Sequence, residues 1–271
     1  MMMAQIGETA SPSSTGQTGR ASIIEINSLG KTFTLDTGPV VALESVDLTI
    51  GRGEFISFVG PSGCGKSTLL NMIAGLLPPS QGQATLNGVA IDEPSRQVGF
   101  MFQTAVLLPW RTVEENVLMP AEVFGTKTEA VRKKARSVLE AVGLGDFMNA
   151  YPRQLSGGMQ QRVSLARTLT YEPEVLLMDE PFGALDEFTR EAMNLELMRI
   201  TQAAGITVLF VTHNITEAVF MADRVVVMTP RPGKVSGVVD VDLPRPREIS
   251  QMQQQNFTDL MFKVRGILSH G

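Results

Sequence analysis

Gly60-Pro61-Ser62-Gly63-Cys64-Gly65-Lys66-Ser67-Thr68 constrains this chain more than any other stretch. It matches G-x-x-x-x-G-K-[ST], the pattern of a loop that cradles phosphate. Its flanks supply the context that the pattern needs. Glu54 to Val59 reads EFISFV, a short apolar run of β-forming residues, and Thr68 onward reads TLLNMIAGLL, apolar around most of a helix. The loop therefore joins a buried strand to a helix N-terminus. Backbone N–H groups and the positive end of the helix dipole converge there on an anion. Glycines let the main chain wrap phosphate oxygens with no Cβ in the way. Lys66 adds a cation for the β- and γ-phosphates, and the Ser67 hydroxyl is a ligand for Mg²⁺. By itself the loop specifies a nucleotide phosphate, which a small-molecule kinase and a hydrolase would both use.

Composition narrows the partners. The 271 residues are 43% hydrophobic, enough for one large or two modest domains. A net charge of −5 and a pI near 5.2 argue against a nucleic-acid partner, which usually meets a basic stripe. The single cysteine, Cys64, excludes an internal disulfide framework and serves as a small residue in a tight loop. No apolar run approaches the roughly 18 residues that cross a bilayer. No basic segment followed by an apolar one opens the chain, so a cytoplasmic protein is expected, working at a membrane only through a partner.

Along the chain, Met1 to about Arg20 is rich in Ser, Thr, Gly and Gln and reads as a disordered tail. SIIEINSL and VALESVDLTI then alternate apolar and polar residues, as half-buried strands do. GQATLNG reads as a strand closing on an Asn-Gly turn, and VGFMF as another strand. Thr128 to Val142 carries apolar residues at helical spacing and stops at Gly143. Its basic cluster, Arg132, Lys133, Lys134 and Arg136, lies mostly on the opposite face and reads as solvated. A helical insert, about 104–168, thus interrupts the nucleotide fold. EVLLMDE, a helix from about Asp186 to Ala204, ITVLFVT, a helix from about Asn214 and RVVVM follow. Strands alternating with helices predict an α/β chain with a parallel sheet covered on both faces. The expected division is a tail over 1–20, a nucleotide domain over 21–245 and a short helical extension over 246–271.

A second motif adds reaction chemistry. Val175 to Glu180 is an apolar strand ending in two carboxylates. Phosphoryl transfer to water needs such a pair, one to hold Mg²⁺ opposite Ser67 and one to polarise the attacking water. We assign Asp179 to the metal and Glu180 to the water. Leu155-Ser156-Gly157-Gly158-Met159-Gln160-Gln161 opens a helix with bare backbone and a hydroxyl, a second helix end suited to an anion. Only the first of these two ends has a lysine.

The order GPSGCGKST, MFQ, LSGGMQQ, VLLMDEP, GALD and VTH resembles the ATP-binding-cassette family, from about Ile23 to Val241. The resemblance implies a P-loop NTPase fold with a RecA-like parallel-sheet core, an antiparallel β subdomain and a helical subdomain insert. It implies ATP and Mg²⁺ as cofactors. It also implies two cassettes paired head to tail, each ATP lying between one chain's phosphate loop and the other's signature, Leu155 to Gln160. Gln103 then joins Mg²⁺ and the attacking water to the partner interface, and is a third metal ligand beside Ser67 and Asp179. His213 touches the γ-phosphate and holds Glu180. Asp186 links the half-sites, and Phe33 stacks on adenine. Met159 stands where the family commonly has glutamine, and Asn214 where it often has aspartate.

Within the family, the chain resembles an importer subunit. It has one cassette, no membrane segment and no long heptad-patterned arm. Leu107 to Val117, LLPWRTVEENV, is similar to the stretch by which cassettes of the nitrate, sulfonate and taurine class grip a permease. Trp110 and Arg111 are the candidate contacts. The implied partners are a second copy in a homodimer, a transmembrane permease and, indirectly, a periplasmic substrate-binding protein, with no nucleic acid. The implied location is peripheral, on the cytoplasmic side of the inner membrane. The alternative is a soluble cassette ATPase acting on nucleic acid or translation machinery. No pocket motif names the cargo.

Overall fold

Burial separates two kinds of strand. The computed structural model describes residues 20–183 and 185–270. The expected tail, Arg20 apart, lies outside them. β1 (Ser22–Leu35) and β2 (Gly38–Gly51) alternate buried and open positions over their inner halves. β3 (Phe55–Val59) is buried along its whole length. It continues through the phosphate loop into α1 (Lys66–Ile73). β4 (Gln81–Leu86) and β5 (Val89–Ala90) form a hairpin around Asn87 and Gly88, at φ 53° and 76°. Positive φ at both central residues is what a tight hairpin requires. The first sheet is antiparallel, in the order β2-β1-β4-β5. β1 runs past the SIIEINSL segment to Leu35. Register shifts around Ser28, at φ 48°, reset its pairing and break the alternation.

After β6 (Val98–Met101) come α2 (Val113–Val123), α3 (Glu129–Ala141) and α4 (Gly157–Thr170), which pack on one another before the chain returns as β7 (Val175–Asp179). Side chains fix where these helices start. Thr112 and Glu115 form a reciprocal cap on α2, and Thr128 caps α3. α5 (Glu187–Ala204) ends at Gly205, φ 65°, and leads into β8 (Thr207–Val211). α6 (Ile215–Met221), β9 (Arg224–Met228), β10 (Val235–Asp240) and α7 (Gln255–His270) complete the chain. The second sheet has the order β10-β9-β3-β8-β7-β6, parallel except at β10. Its central strands are buried on both faces, as a helix-covered parallel sheet demands. α7 lies on α6, β9 and β10, with Phe257 and Val264 in the main core.

A buried ion pair of the second sheet is tied to the first through β2. Glu54 and Arg224 are buried, at 0% and 5% exposure. Arg224 Nη2 donates to Glu54 Oε2 at 3.0 Å and to the Thr49 carbonyl at 2.7 Å, while the Gly51 N–H donates to Glu54 Oε2 at 2.8 Å. β2, β3 and β9 are thereby held at the edge opposite the phosphate loop.

Candidate nucleotide site

The site lies at the C-terminal ends of the parallel strands, where open α/β sheets bind ligands. β3 delivers Gly60, and α1 begins at Lys66. Gly65 has φ 101°, and a Cβ there would lie 2.9 Å from the Ala42 carbonyl oxygen, so only glycine fits. Cys64 is buried beneath the loop. The Lys66 ammonium folds over the loop and donates to the carbonyls of Gly60 at 2.8 Å and Pro61 at 3.0 Å.

β7 and β8 bring the carboxylates alongside. The Ser67 hydroxyl lies close enough to the Asp179 carboxylate to lower its pKa. Burial pushes the Asp179 carboxyl above its ordinary range; the Ser67 hydroxyl and Lys66 oppose the rise, and the Glu180 charge adds to it. Glu180 has φ 45°, a left-handed backbone costing about 1–3 kcal/mol at a non-glycine residue. Its N–H donates to the Val211 carbonyl at 3.0 Å, and its own carbonyl accepts from the Gly183 N–H at 3.2 Å. Those bonds hold the strained turn. They leave Glu180 Oε2 3.2 Å from His213 Nδ1. His213 follows Thr212, whose hydroxyl donates to the buried Glu217 carboxylate at 2.5 Å. Glu217 also accepts from Asn194 Nδ2 of α5 at 2.9 Å, so a buried network sets the position of the His213 loop.

A cavity of about 450 Å³ opens over these groups, within the size range of small-molecule sites. Ser62, Gly63, Gly65, Lys66, Ser67 and Thr68 form its floor, and Phe33, Leu35, Val40 and Ala42 an apolar side. Gln103, Glu180 and Arg231 complete the lining. Phe33 is half-buried, with the Lys31 ammonium 5.4 Å from its ring centroid. The Gln103 carbonyl accepts from Gln161 Nε2 of α4 at 2.6 Å. A larger cavity, about 630 Å³, borders Arg52, Lys134 and Arg199 and contains none of these motifs. Its three cations each face a carboxylate: Glu174, Glu172 and Glu196, at 2.9, 2.7 and 2.6 Å. We therefore assign nucleotide to the smaller cavity.

Among the described residues no cluster of three or more His, Cys, Asp and Glu side chains could enclose a metal. The donors at hand are the hard oxygens of Ser67 and Asp179. They suit Mg²⁺, which takes one or two protein ligands and completes its shell with phosphate oxygens and water.

Leu155 to Gln160 do not line that cavity. Ser156 caps α4, its hydroxyl accepting from the Met159 N–H at 3.3 Å, and Gln160 Nε2 donates to the Pro152 carbonyl at 3.0 Å. Gly157 faces open space, whereas a Cβ on Gly158 would come within 2.8 Å of Leu185 Cδ2. Asp186 caps α5, accepting from the Thr189 N–H at 3.0 Å, and the Thr189 hydroxyl, followed by that N–H, holds its carboxyl below the ordinary range. In one chain, then, the first anion-facing helix end sits inside the cavity and the second outside it.

Trp110 is 70% exposed, and Phe102 and Val106 of the same segment are exposed as well. Arg111 does not pair with it: its guanidinium is bound by Glu122, which also binds Lys127. Arg231 was missed by the sequence reading. Its signal was an Arg-Pro-Gly turn directly after a buried strand, at the edge of the sheet where β3 enters the phosphate loop.

A glycine-rich loop between strand and helix, with paired carboxylates on a nearby parallel strand, defines a P-loop nucleoside triphosphatase. The chain belongs to the ABC transporter family, whose model matches residues 43–183. It is 42% identical over 248 residues to the aliphatic sulfonates import ATP-binding protein SsuB of Bacillus cereus, covering 92% of this chain and 96% of that protein. It is 44% identical over 243 residues to the nitrate import ATP-binding protein NrtD of Synechococcus elongatus, covering 89% of each. Its fold matches the dimeric structure of the ATP-binding cassette MJ0796 bound to ADP and Pi, with a TM-score of 0.73 and 33% identity, over 82% of this chain and 100% of that one.

Proposed function

We propose that this chain is the ATP-hydrolysing subunit of an importer that takes up a small solute of the nitrate, sulfonate or taurine type. The observation that carries the proposal is that Lys66, Ser67 and Glu180 line one cavity beside an apolar wall, with Asp179 next to Ser67 and His213 against Glu180 behind them. Phe33 stacks on adenine. The backbone from Gly60 to Thr68 wraps the phosphates, and Lys66 turns from its loop carbonyls to the β- and γ-oxygens. Mg²⁺, when bound, neutralises charge on those oxygens, and Ser67, Asp179 and Gln103 would hold it. Glu180 accepts a proton from water in line with the γ-phosphate, and His213 keeps that carboxylate aimed.

A second copy completes the site from outside. Leu155 to Gln160 of each chain cap the γ-phosphate held by the other, and Asp186 links the two half-sites. The exposed Trp110 surface receives a transmembrane permease, with Arg111 bracing the loop through Glu122. Among the described residues no helix is long and apolar enough to cross a membrane, so attachment runs through that permease. The chain then works on the cytoplasmic side of the inner membrane, and a periplasmic substrate-binding protein delivers cargo to the far side.

Two measurements test this. Glu180→Gln should bind ATP and dimerise while turnover falls by at least about 100-fold; turnover near the wild type would refute the base assignment. Purification from detergent-solubilised native membranes should recover two copies with a multi-spanning permease. Recovery with ribosomes or DNA would overturn the transport reading and leave the ATPase.

A further inference from the structure

We infer that Arg231 is a second phosphate-binding cation, which grips the nucleotide from the outer rim of the cavity while Lys66 grips it from within. The inference rests on the cavity's being the ATP site.

The turn after β9 is held in place from three sides. The Thr229 hydroxyl donates to the Pro232 carbonyl at 3.1 Å and accepts from the Lys234 N–H at 3.0 Å. The Gly233 N–H donates to the Ala42 carbonyl at 3.0 Å, and the Glu44 N–H donates to the Gly233 carbonyl at 2.9 Å. Gly233 also lies against the phosphate loop, so close that a Cβ there would fall 1.8 Å from the Cys64 carbonyl oxygen. Thr229 to Lys234 is therefore keyed to β2 and to the loop at once. The turn carries Arg231 to the mouth of the cavity, where it shares the lining with Gly63, Lys66 and Thr68.

At that mouth the guanidinium lacks a strong partner. Its Nη2 donates to the Gly63 carbonyl at 3.5 Å, a long bond to a neutral acceptor. Among the described residues it has no carboxylate within ion-pair distance, whereas the cations around the larger cavity each do. Most of its N–H donors remain available beside a loop shaped for phosphate. A guanidinium prefers a phosphate oxygen to a peptide carbonyl, because the bond becomes charge-assisted and often bidentate. Gly63 and Lys66 belong to the same loop, and the ammonium already lies on the Gly60 and Pro61 carbonyls. The two cations thus address the phosphate chain from different parts of the loop. ADP and ATP share the phosphates nearest the loop, so both should gain from Arg231.

The test is calorimetric titration of the full chain with ATP, ADP and adenosine. Arg231→Ala should weaken ATP and ADP by about tenfold each, the worth of one partly exposed charge-assisted contact, and leave adenosine unchanged. Arg231→Lys should recover part of the loss, and the salt dependence of ADP binding should become shallower in the alanine variant. The nucleotide-free melting temperature should stay within 2 °C or so of the wild type, because one long rim hydrogen bond is all that is removed. Alanine and wild type binding ATP and ADP equally would overturn the inference while leaving the ATP site intact. Equal weakening of adenosine, or recovery of nothing by lysine, would overturn it in favour of a purely structural turn. A wild-type chain that binds no ATP would refute the site itself and Arg231 with it.

Discussion

Replacing Gly233 with alanine asks whether the turn after β9 holds the phosphate loop in shape. The added Cβ would lie 1.8 Å from the Cys64 carbonyl oxygen and 3.0 Å from its carbonyl carbon. Relief to an ordinary 3.4 Å contact requires a shift of about 1.6 Å. Neither side yields cheaply. Cys64 is main chain inside a tight loop, and Gly233 is bonded to Ala42 and Glu44 through its own N–H and carbonyl. Gly233 has no positive φ, so the cost is steric and not conformational. Overpacking costs roughly 1–3 kcal/mol, and a clash of backbone against backbone belongs at the upper end. For a chain of this size, about 3 kcal/mol lowers the melting temperature by roughly 6–12 °C. The displaced loop should also lose at least about tenfold in ATP affinity. Gly88→Ala is the matched control. It has φ 76° and open space around its Cβ, so it should lose about 1 kcal/mol of stability and none of its ATP affinity. Differential scanning calorimetry and ATP titration read both quantities. A Gly233→Ala protein that melts within about 2 °C of the wild type and binds ATP as well would refute the reasoning.

Lys66→Ala should weaken ATP by at least about tenfold in equilibrium titration, and unchanged binding would rule out the cradle as drawn. Asp179→Asn should raise the melting temperature of the nucleotide-free chain at pH 7 while abolishing turnover. The buried carboxyl titrates above its unfolded value of 3.8, so its charged form weakens the fold as pH rises through the carboxylate range, and asparagine removes that dependence. A lower melting temperature for Asp179→Asn at pH 7 would contradict the burial argument. Arg224→Ala strands the Glu54 charge in the core and should cost about 3–5 kcal/mol by urea unfolding. A loss below about 1 kcal/mol would mean that Glu54 finds another partner or takes up a proton.

What the chain declares locally was legible. The phosphate loop, the strand ending in Asp179 and Glu180, and the capped helices from Thr128 and Ser156 depend on neighbours a few residues away. Their chemistry can be read from spacing. The remainder depends on contacts between distant segments, which leave no period in the sequence. Arg231 meets Gly63 across 168 positions, and Arg224 meets Glu54 across 170. The Trp110–Arg111 pair looked like a single anchor because the residues are adjacent. The ion pair of Arg111 with Glu122, at the far end of α2, leaves no period in the sequence, while Trp110 stands exposed. The outer half of β1 escaped because the register shift at Ser28 breaks the alternation that marks a strand.

One turn of α4 bears on the timing of the reaction. Gln161 holds the carbonyl of Gln103, in the cavity of this chain's own nucleotide, while Gly158 backs onto Leu185 beside Asp186. Those two positions are a single helical turn apart, and in the head-to-tail pair that we propose Ser156 to Gly158 would touch the other copy's nucleotide. In the proposed pair, a movement of Gln103 would be passed through Gln161 toward the cap over the neighbour's phosphates. On that proposal two such copies would not run as independent clocks. The proposed pair would then keep one shared beat for the permease it serves.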